Sequence, residues 1–306
     1  MIQRPSPHWR RRKDMVHARC RQLIESLPLS TPIPLRRVAD MCNIKRVIFR
    51  PLLCDGGMGV VAGGYVIYVK CAREQVVNWT KSYENSEDRL LPHRARFTIA
   101  HEIVHTFFYD NLGSKPRNQV KDTDSNKFPL EALCNYGASL ILMPEAYLGR
   151  SLKNQDILQP ETIEIIRKQF DVSAEALVRR LYPLDNWGGM GAIVYIEETD
   201  SVYRVKALTA DGSTSSYFPW KVGMDLSDHL WNDVVDSVKE SNRGITVECG
   251  CWIPCRLGGE PHKQRGIFRV MRTRTTRAAY LLTFHSEGSP VAVMRTNARQ
   301  ARCERP

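Results

Sequence analysis

The chain has 306 residues, of which 42% are hydrophobic and 25% are charged, and its formal net charge at pH 7 is +11. These proportions are typical of an ordinary globular protein, and the length is enough for two or three domains. A membrane-spanning protein is excluded, because no apolar run approaches the roughly 20 residues that a transmembrane helix needs. The charged N-terminus has no apolar segment behind it, so we predict no signal peptide and a cytoplasmic location.

The cysteines and the basic charge each suggest a secondary site. The nine cysteines are scattered, which argues against a disulfide framework and is typical of a reducing compartment. Only Cys249, Cys251 and Cys255 cluster, with His262 nearby. We predict reduced thiols there, with a second zinc site as the alternative. Residues 261–306 carry ten Lys or Arg against two Glu, so they are a candidate contact for DNA or an acidic partner.

Helices and two strands are predicted in the first part of the chain. Residues 11–43 have helical apolar spacing, which prolines interrupt. Residues 46–51 and 64–70 have the composition of strands, and the glycines over 56–59 predict a turn between them. Residues 72–90 are polar and indicate helix or loop.

The segment 94–109 contains the pattern His101-Glu102-x-x-His105 among apolar residues, which predicts a buried helix. Positions i and i+4 share one face of a helix, so His101 and His105 can reach one metal ion. Glu102 lies about 100° further round the helix, where it can polarise a metal-bound water. Two imidazoles and a carboxylate without partners would be costly on a buried helix, so the pattern favours a metal site over a purely structural role.

A second helix is predicted over 129–143, after a polar stretch and before Pro144. Its small residues allow close packing against the histidine-bearing helix. Zinc hydrolases of this kind need a third protein ligand. Glu131, near the start of the second helix, is the best candidate, and the alternatives on the intervening loop are Asp110, Asp122 and Asp124.

The remaining part of the chain indicates a helix pair and then a mixed domain. Residues 160–182 have the pattern of a helix-turn-helix-like pair, which more often packs than reads DNA. Arg179 and Arg180 at its end keep DNA binding as an alternative. Residues 192–286 alternate strand-like runs with a helical stretch near 226–238, which predicts an α+β domain.

Three ordered motifs resemble the ImmA/IrrE family of metallopeptidases: Arg96 to His105, Glu131 to Asn135, and Ala138 to Pro144. Members of that family have an Arg-Phe-Thr-x-Ala-His-Glu helix and a later Glu-x-x-x-Asn helix that ends in Leu-Met-Pro. The resemblance covers residues 15–182. One departure is Val104, where many members have Gly or Ser.

The resemblance implies a zincin-like, gluzincin-type site in which His101, His105 and Glu131 bind one Zn²⁺ and Glu102 is the catalytic base. Another divalent ion such as Mn²⁺ is the alternative. The layout also resembles the radiation- and stress-response regulators of the family, which have a GAF-like third domain. These cleave a helix-turn-helix repressor, so we expect a regulatory endopeptidase that cleaves an XRE-type repressor in a stress or DNA-damage response.

The predicted fold class is therefore α+β, and the chain is predicted to have five parts. They are a basic arm (1–14), a zinc metallopeptidase domain (15–150), a helix-turn-helix-like segment (151–186), a C-terminal α+β, GAF-like sensor domain (187–286) and a basic tail (287–306). The expected partner is a protein substrate, with DNA contact through the basic C-terminal segment as a further candidate and no membrane.

Further residues are candidates for catalysis and substrate binding. Tyr136 and His93 are candidate transition-state stabilisers, and a strand with Tyr65, Ile67 and Val69 is a candidate for binding an extended substrate by strand addition. The alternative function is a DNA-binding or sensor regulator with a structural or vestigial zinc site. The intact carboxylate of Glu102 argues against this alternative, because a structural site does not need a base. A toxin–antitoxin or phage-associated peptidase would share the chemistry and differ in its target.

Overall fold

The computed structural model describes most of the chain, and the chain divides into two compact units. The first comprises residues 1–150 with 169–172, and the second comprises residues 151–168 with 173–306. The described residues are 7–28, 30–86, 88–109, 130–153, 155–181, 191–200, 202–210, 220–226, 246–257, 260–274 and 279–286.

Helices and a small sheet make up the first unit. Its elements in chain order are α1 (Pro7–Glu25), α2 (Leu35–Met41), β1 (Ile44–Arg50), β2 (Gly56–Val61), β3 (Gly64–Lys70), α3 (Val76–Glu84), α4 (His93–His105), α5 (Leu130–Leu142) and α6 (Glu145–Leu152, whose last two residues group with the second unit). Short 3₁₀ turns cover Arg73–Gln75, Asp88–Leu90 and Thr106–Phe108. The helices α4 and α5 are close to the predicted 94–109 and 129–143, because apolar period and the flanking prolines are strong local signals.

The three strands of this unit form a sheet in the order β1-β3-β2, with β1 parallel and β2 antiparallel to β3. The predicted turn over the glycines 56–59 is wrong, because these residues belong to β2. Their backbone pairs with β3 from Gly56 opposite Val69 to Val61 opposite Gly64. Glycine has little intrinsic preference for a strand, so the partner strand supplies the order that the local sequence does not indicate.

The helices α4 and α5 pack closely because Gly137 has no side chain. A Cβ at this position would lie 2.7 Å and 2.8 Å from the methyl groups of Val104 and 2.9 Å from Val16 Cγ1. Val104 is fully buried. Val104 is larger than the Gly or Ser that many members of the resembled ImmA/IrrE family have at this position, and Gly137 on α5 leaves the space that it needs.

We predict that Gly137→Ala lowers the free energy of unfolding by about 1–3 kcal/mol, because the added methyl overpacks a buried helix contact. The matched control is Gly149→Ala on α6, where a Cβ would meet nothing within 4 Å. That change is expected to be neutral or to stabilise by up to about 1 kcal/mol through helix propensity. Urea unfolding of both variants measures the difference, and equal stabilities would contradict the close packing of α4 on α5.

The second unit contains a larger sheet. Its elements are α7 (Pro160–Phe170, whose last two residues group with the first unit), α8 (Ala174–Leu181), β4 (Gly191–Thr199), β5 (Val202–Ala210), β6 (Thr246–Leu257), β7 (Glu260–Arg274) and β8 (Ala279–Ser286). The five strands are antiparallel in the order β5-β4-β8-β7-β6. The chain is thus a mixture of helix and sheet, which agrees with the predicted α+β class.

The helix α8 packs against β4 and β5, so one of its faces is covered by the sheet. Arg179 donates to Lys206 O at 2.6 Å and pairs with Glu175 at 2.9 Å. Arg180 is 5% exposed. Arg179 therefore has partners within this unit, and Arg180 is buried.

Of the remaining predictions, one concerns the cysteine cluster, which the structure describes, and the others concern residues that it does not describe. In the strand register, Cys255 pairs with His262 and Cys251 with Gly266, so the cysteine cluster lies on the β6–β7 hairpin. The helical stretch after Leu226, the basic tail (287–306) and the alternative ligands Asp110, Asp122 and Asp124 lie outside the described residues.

Among the described helices, none has the length and apolar character needed to cross a membrane.

Candidate metal centre and active site

The side chains of His101, His105 and Glu131 meet between α4 and α5. The two histidine Nε2 atoms are 3.1 Å apart. Glu131 places Oε2 at 3.0 Å from His101 Nε2 and Oε1 at 3.5 Å from His105 Nε2. Two zinc–nitrogen bonds of about 2.0–2.1 Å at a tetrahedral angle hold their nitrogens roughly 3.3 Å apart. The spacing and the chemistry of these donor atoms therefore fit one zinc ion.

Asn135 orients the first histidine. Its Oδ1 lies 2.9 Å from His101 Nδ1, so this nitrogen donates to the amide oxygen when it carries the proton. The lone pair is then on Nε2, the atom that points towards His105 and Glu131. The sequence prediction did not assign this role. The available signal was the spacing, because Asn135 lies one helical turn after Glu131 on the same face.

Burial also keeps His105 in the state that binds metal. Desolvation lowers the pKa of His105, and the neighbouring His101 lowers it further, while Glu131 acts in the opposite direction. The imidazole is therefore biased towards its neutral form. A metal ion binds the neutral ring, so this bias favours ligation.

Cys134 is a second candidate for the third ligand. The potential ligand atoms of His101, His105 and Cys134 all lie within 4.8 Å of one another. However, burial raises the pKa of the Cys134 thiol far above its usual value, with further contributions from Glu131 and Glu102. A thiol binds zinc as the thiolate, which this environment disfavours. We therefore favour the carboxylate of Glu131, whose oxygens already contact both rings.

Glu102 lies beside this group in a nearly closed environment. Its side chain is 7% exposed. Burial raises its pKa to about 7, and the negative charge of Glu131 contributes to the same shift. A cation bound by the neighbouring residues would lower this pKa again. A buried carboxylate with a raised pKa next to two imidazoles is suited to proton transfer during metal-assisted hydrolysis.

The predicted transition-state stabilisers have other partners. The hydroxyl of Tyr136 lies 3.0 Å from His17 Nδ1. His93 Nε2 lies 3.2 Å from Asp171 Oδ1. His93 is the first residue of α4, a rise of about 12 Å from His101, so the structure does not bring it to the metal candidates.

The strand that was predicted to bind an extended substrate lies at the centre of its sheet, so the prediction is wrong: strand addition needs an unpaired edge. Tyr65, Ile67 and Val69 belong to β3, which is the central strand and is paired on both sides. All three are at most 4% exposed. Among the described strands, β2 pairs only with β3, so β2 is an edge strand. Its first residue, Gly56, lies against the site, because a Cβ there would be 3.6 Å from Glu102 Oε1.

The arrangement of two imidazoles, a third donor and an adjacent buried carboxylate defines a candidate metallohydrolase. The family model Peptidase_M78, described as the IrrE N-terminal-like domain, matches residues 86–182. The matched segment contains both histidines, Glu102 and Glu131, so it supports the ImmA/IrrE family and a metallopeptidase-like function for this part of the chain. No curated protein matches the chain.

Proposed function

We propose that this chain is a zinc-dependent endopeptidase of the gluzincin type, with His101, His105 and Glu131 as ligands and Glu102 as catalytic base. The observation that carries the proposal is the convergence of both imidazoles and the Glu131 carboxylate at 3.0–3.5 Å beside a buried glutamate. Mn²⁺ is the alternative ion for the same donors. The match of residues 86–182 to a peptidase family model supports the reaction class.

His101, His105 and Glu131 would hold the zinc ion, which would supply polarisation of the scissile carbonyl and a lowered pKa of the attacking water. Glu102 accepts the proton of the attacking water and passes it to the amine that leaves. Its position away from solvent limits exchange of that proton with bulk water. Asn135 holds the His101 ring in the tautomer that has its lone pair on Nε2, which is the state that a zinc ligand requires.

The edge strand β2 is the element that we propose holds the substrate. An extended peptide segment can add to its unpaired side through backbone hydrogen bonds. The contact of Gly56 with the surroundings of Glu102 places one end of that strand next to the proposed base. This assignment keeps the predicted mode of recognition and moves it from β3 to β2.

For the substrate, we propose an XRE-type helix-turn-helix repressor that is cleaved in a stress or DNA-damage response. The support is the resemblance to the ImmA/IrrE regulators, together with the order of a peptidase-like segment, a helix pair and a further domain. We propose a GAF-like sensor role for residues 187–286. Their described part contains a five-stranded antiparallel sheet. A regulator of this kind is expected to cut one protein at one site, because broad digestion would be toxic.

The test is incubation of the purified chain with purified repressors, starting with any that are encoded beside its gene. We expect one repressor to be cut at a single position, a chelator to stop the cleavage, and added zinc to restore it. Mass spectrometry of the products gives the site. Cleavage that a chelator leaves unchanged, or general digestion of casein, would contradict the proposal.

A further inference from the structure

A small pocket adjoins the proposed active site and has no role in the mechanism above. Its volume is about 310 Å³. It lies among the end of β3, α3 and the first half of α4. Its walls are mainly apolar and come from Val69, Trp79, Pro92, Ala95 and Thr98.

The pocket and the proposed base lie along one face of α4. Ala95, Thr98 and Glu102 are spaced by three and four residues, so they form one stripe of the helix. Gly56 of β2 packs directly on this stripe, since a Cβ there would overlap Thr98 Cγ2 and lie 3.6 Å from Glu102 Oε1. From Glu102, the helical rise is about 6 Å to Thr98 and about 10 Å to Ala95. The start of β2 therefore lies beside both Thr98, which lines the pocket, and the proposed base.

This distance sets which part of a substrate would enter the pocket. An extended chain advances about 3.3 Å per residue. A rise of about 6–10 Å along α4 thus corresponds to two or three residues of an extended substrate. The side chain that enters would belong to a residue two or three positions from the scissile bond.

The charges at the entrance favour an uncharged occupant. Arg94 and Asp55 both line the pocket, and their Nη2 and Oδ2 atoms form an ion pair at 2.6 Å. Lys70, the third charged residue that lines it, is exposed. The pair of Arg94 with Asp55 has no net charge, so it offers little compensation for a charged substrate side chain. A charge would lose hydration against the apolar walls, whereas a large apolar side chain would gain from burial.

We propose that this pocket is a specificity subsite that binds one large apolar side chain of the substrate, two or three residues from the scissile bond. The inference rests on the proposed peptidase function, because a subsite selects among substrates that the enzyme cleaves. It adds a sequence requirement to the cleavage site that the family resemblance does not state.

The experiment uses the zinc-loaded full chain and a peptide library prepared by digesting a whole proteome. Mass spectrometry of the new termini gives the cleavage positions. We expect Leu, Ile, Met or Phe to be enriched at one position two or three residues from the cut. Trp79→Ala removes one wall and is expected to slow cleavage of these peptides by about tenfold or more. The matched control is Val77→Ala on the same helix, which is 61% exposed and not among the described lining residues.

A second variant separates loss of the pocket from loss of the fold. Trp79 also contacts the ring of Phe49 edge-on at 5.8 Å, so its removal affects packing. Ala95→Leu instead fills the pocket, and we expect it to shift the preference towards small residues at the same position. An unchanged preference in both variants, or no preference in the wild type, would overturn the subsite and leave the peptidase intact. Failure of the wild type to cut any peptide in a chelator-sensitive way would overturn the proposed function and the subsite together.

Discussion

Replacing Glu102 with Gln is expected to reduce the rate of substrate cleavage by about 10²–10⁴-fold, the usual contribution of a general base. The amide has nearly the same shape as the carboxylate, so it fits the same buried position, but it cannot accept the proton of the attacking water. The zinc content of the protein is expected to stay unchanged, because the proposed donors are on other residues. Cleavage rate and elemental analysis of the same preparation measure both effects.

The matched control is Glu74→Gln, which neutralises an exposed carboxylate outside the site. It is expected to keep the wild-type rate. Equal cleavage by Glu102→Gln and the wild type would remove the assignment of the base. Cleavage by neither protein, together with retained zinc, would favour the alternative of a structural or vestigial metal site.

Removal of the proposed third metal ligand is expected to have the second large effect, which is on zinc affinity. Glu131→Ala is expected to weaken zinc binding by more than about 100-fold, since even partners that only orient a ligand typically contribute 10–100-fold. Cys134→Ala is expected to leave zinc affinity unchanged, because the buried thiol is held in its protonated form. The two residues lie three positions apart on α5, so each variant is a control for the effect of the other on the helix.

Competition with a chromogenic chelator measures the zinc affinity of both variants. The gain in thermal stability on adding zinc gives a second measurement, because a ligand that binds the folded state stabilises it by an amount that grows with the logarithm of its affinity. A loss of affinity in Cys134→Ala with retention in Glu131→Ala would contradict our assignment. The centre would then consist of two histidines and a cysteine, and Glu131 would be a surface carboxylate with a side chain that is 62% exposed.

Some parts of the candidate site could be predicted because they depend on local geometry. The relation between His101 and His105 follows from the period of a helix, and the apolar residues around them indicate that the helix is buried. The role of Asn135 was not predicted. Its contact with His101 joins two helices that are separated by a long stretch of chain. The spacing from Glu131 places Asn135 on the same face of α5, and only the packing of the two helices shows which group it contacts.

For the strands, the local sequence was a poor guide to the position of each strand in the sheet. The apolar, β-branched and aromatic residues of β3 indicated a strand correctly, and its selection as the substrate-binding element was wrong. A glycine-rich segment was interpreted as a turn, and it is the edge strand beside Glu102. Strand propensity describes how well a residue fits a sheet and contains no information about which strand is outermost.

The sequence by itself determined that two imidazoles and a carboxylate lie on adjoining faces of one helix, because helical geometry relates residues four positions apart. It also determined the best candidate for the third donor, through the order of its motifs. Only the tertiary structure decided that the Glu131 carboxylate reaches both rings, since this depends on the close packing of α4 and α5 across Gly137. The tertiary structure likewise decided that β2 is the edge strand next to Glu102, because strand order depends on pairing between segments that are distant along the chain.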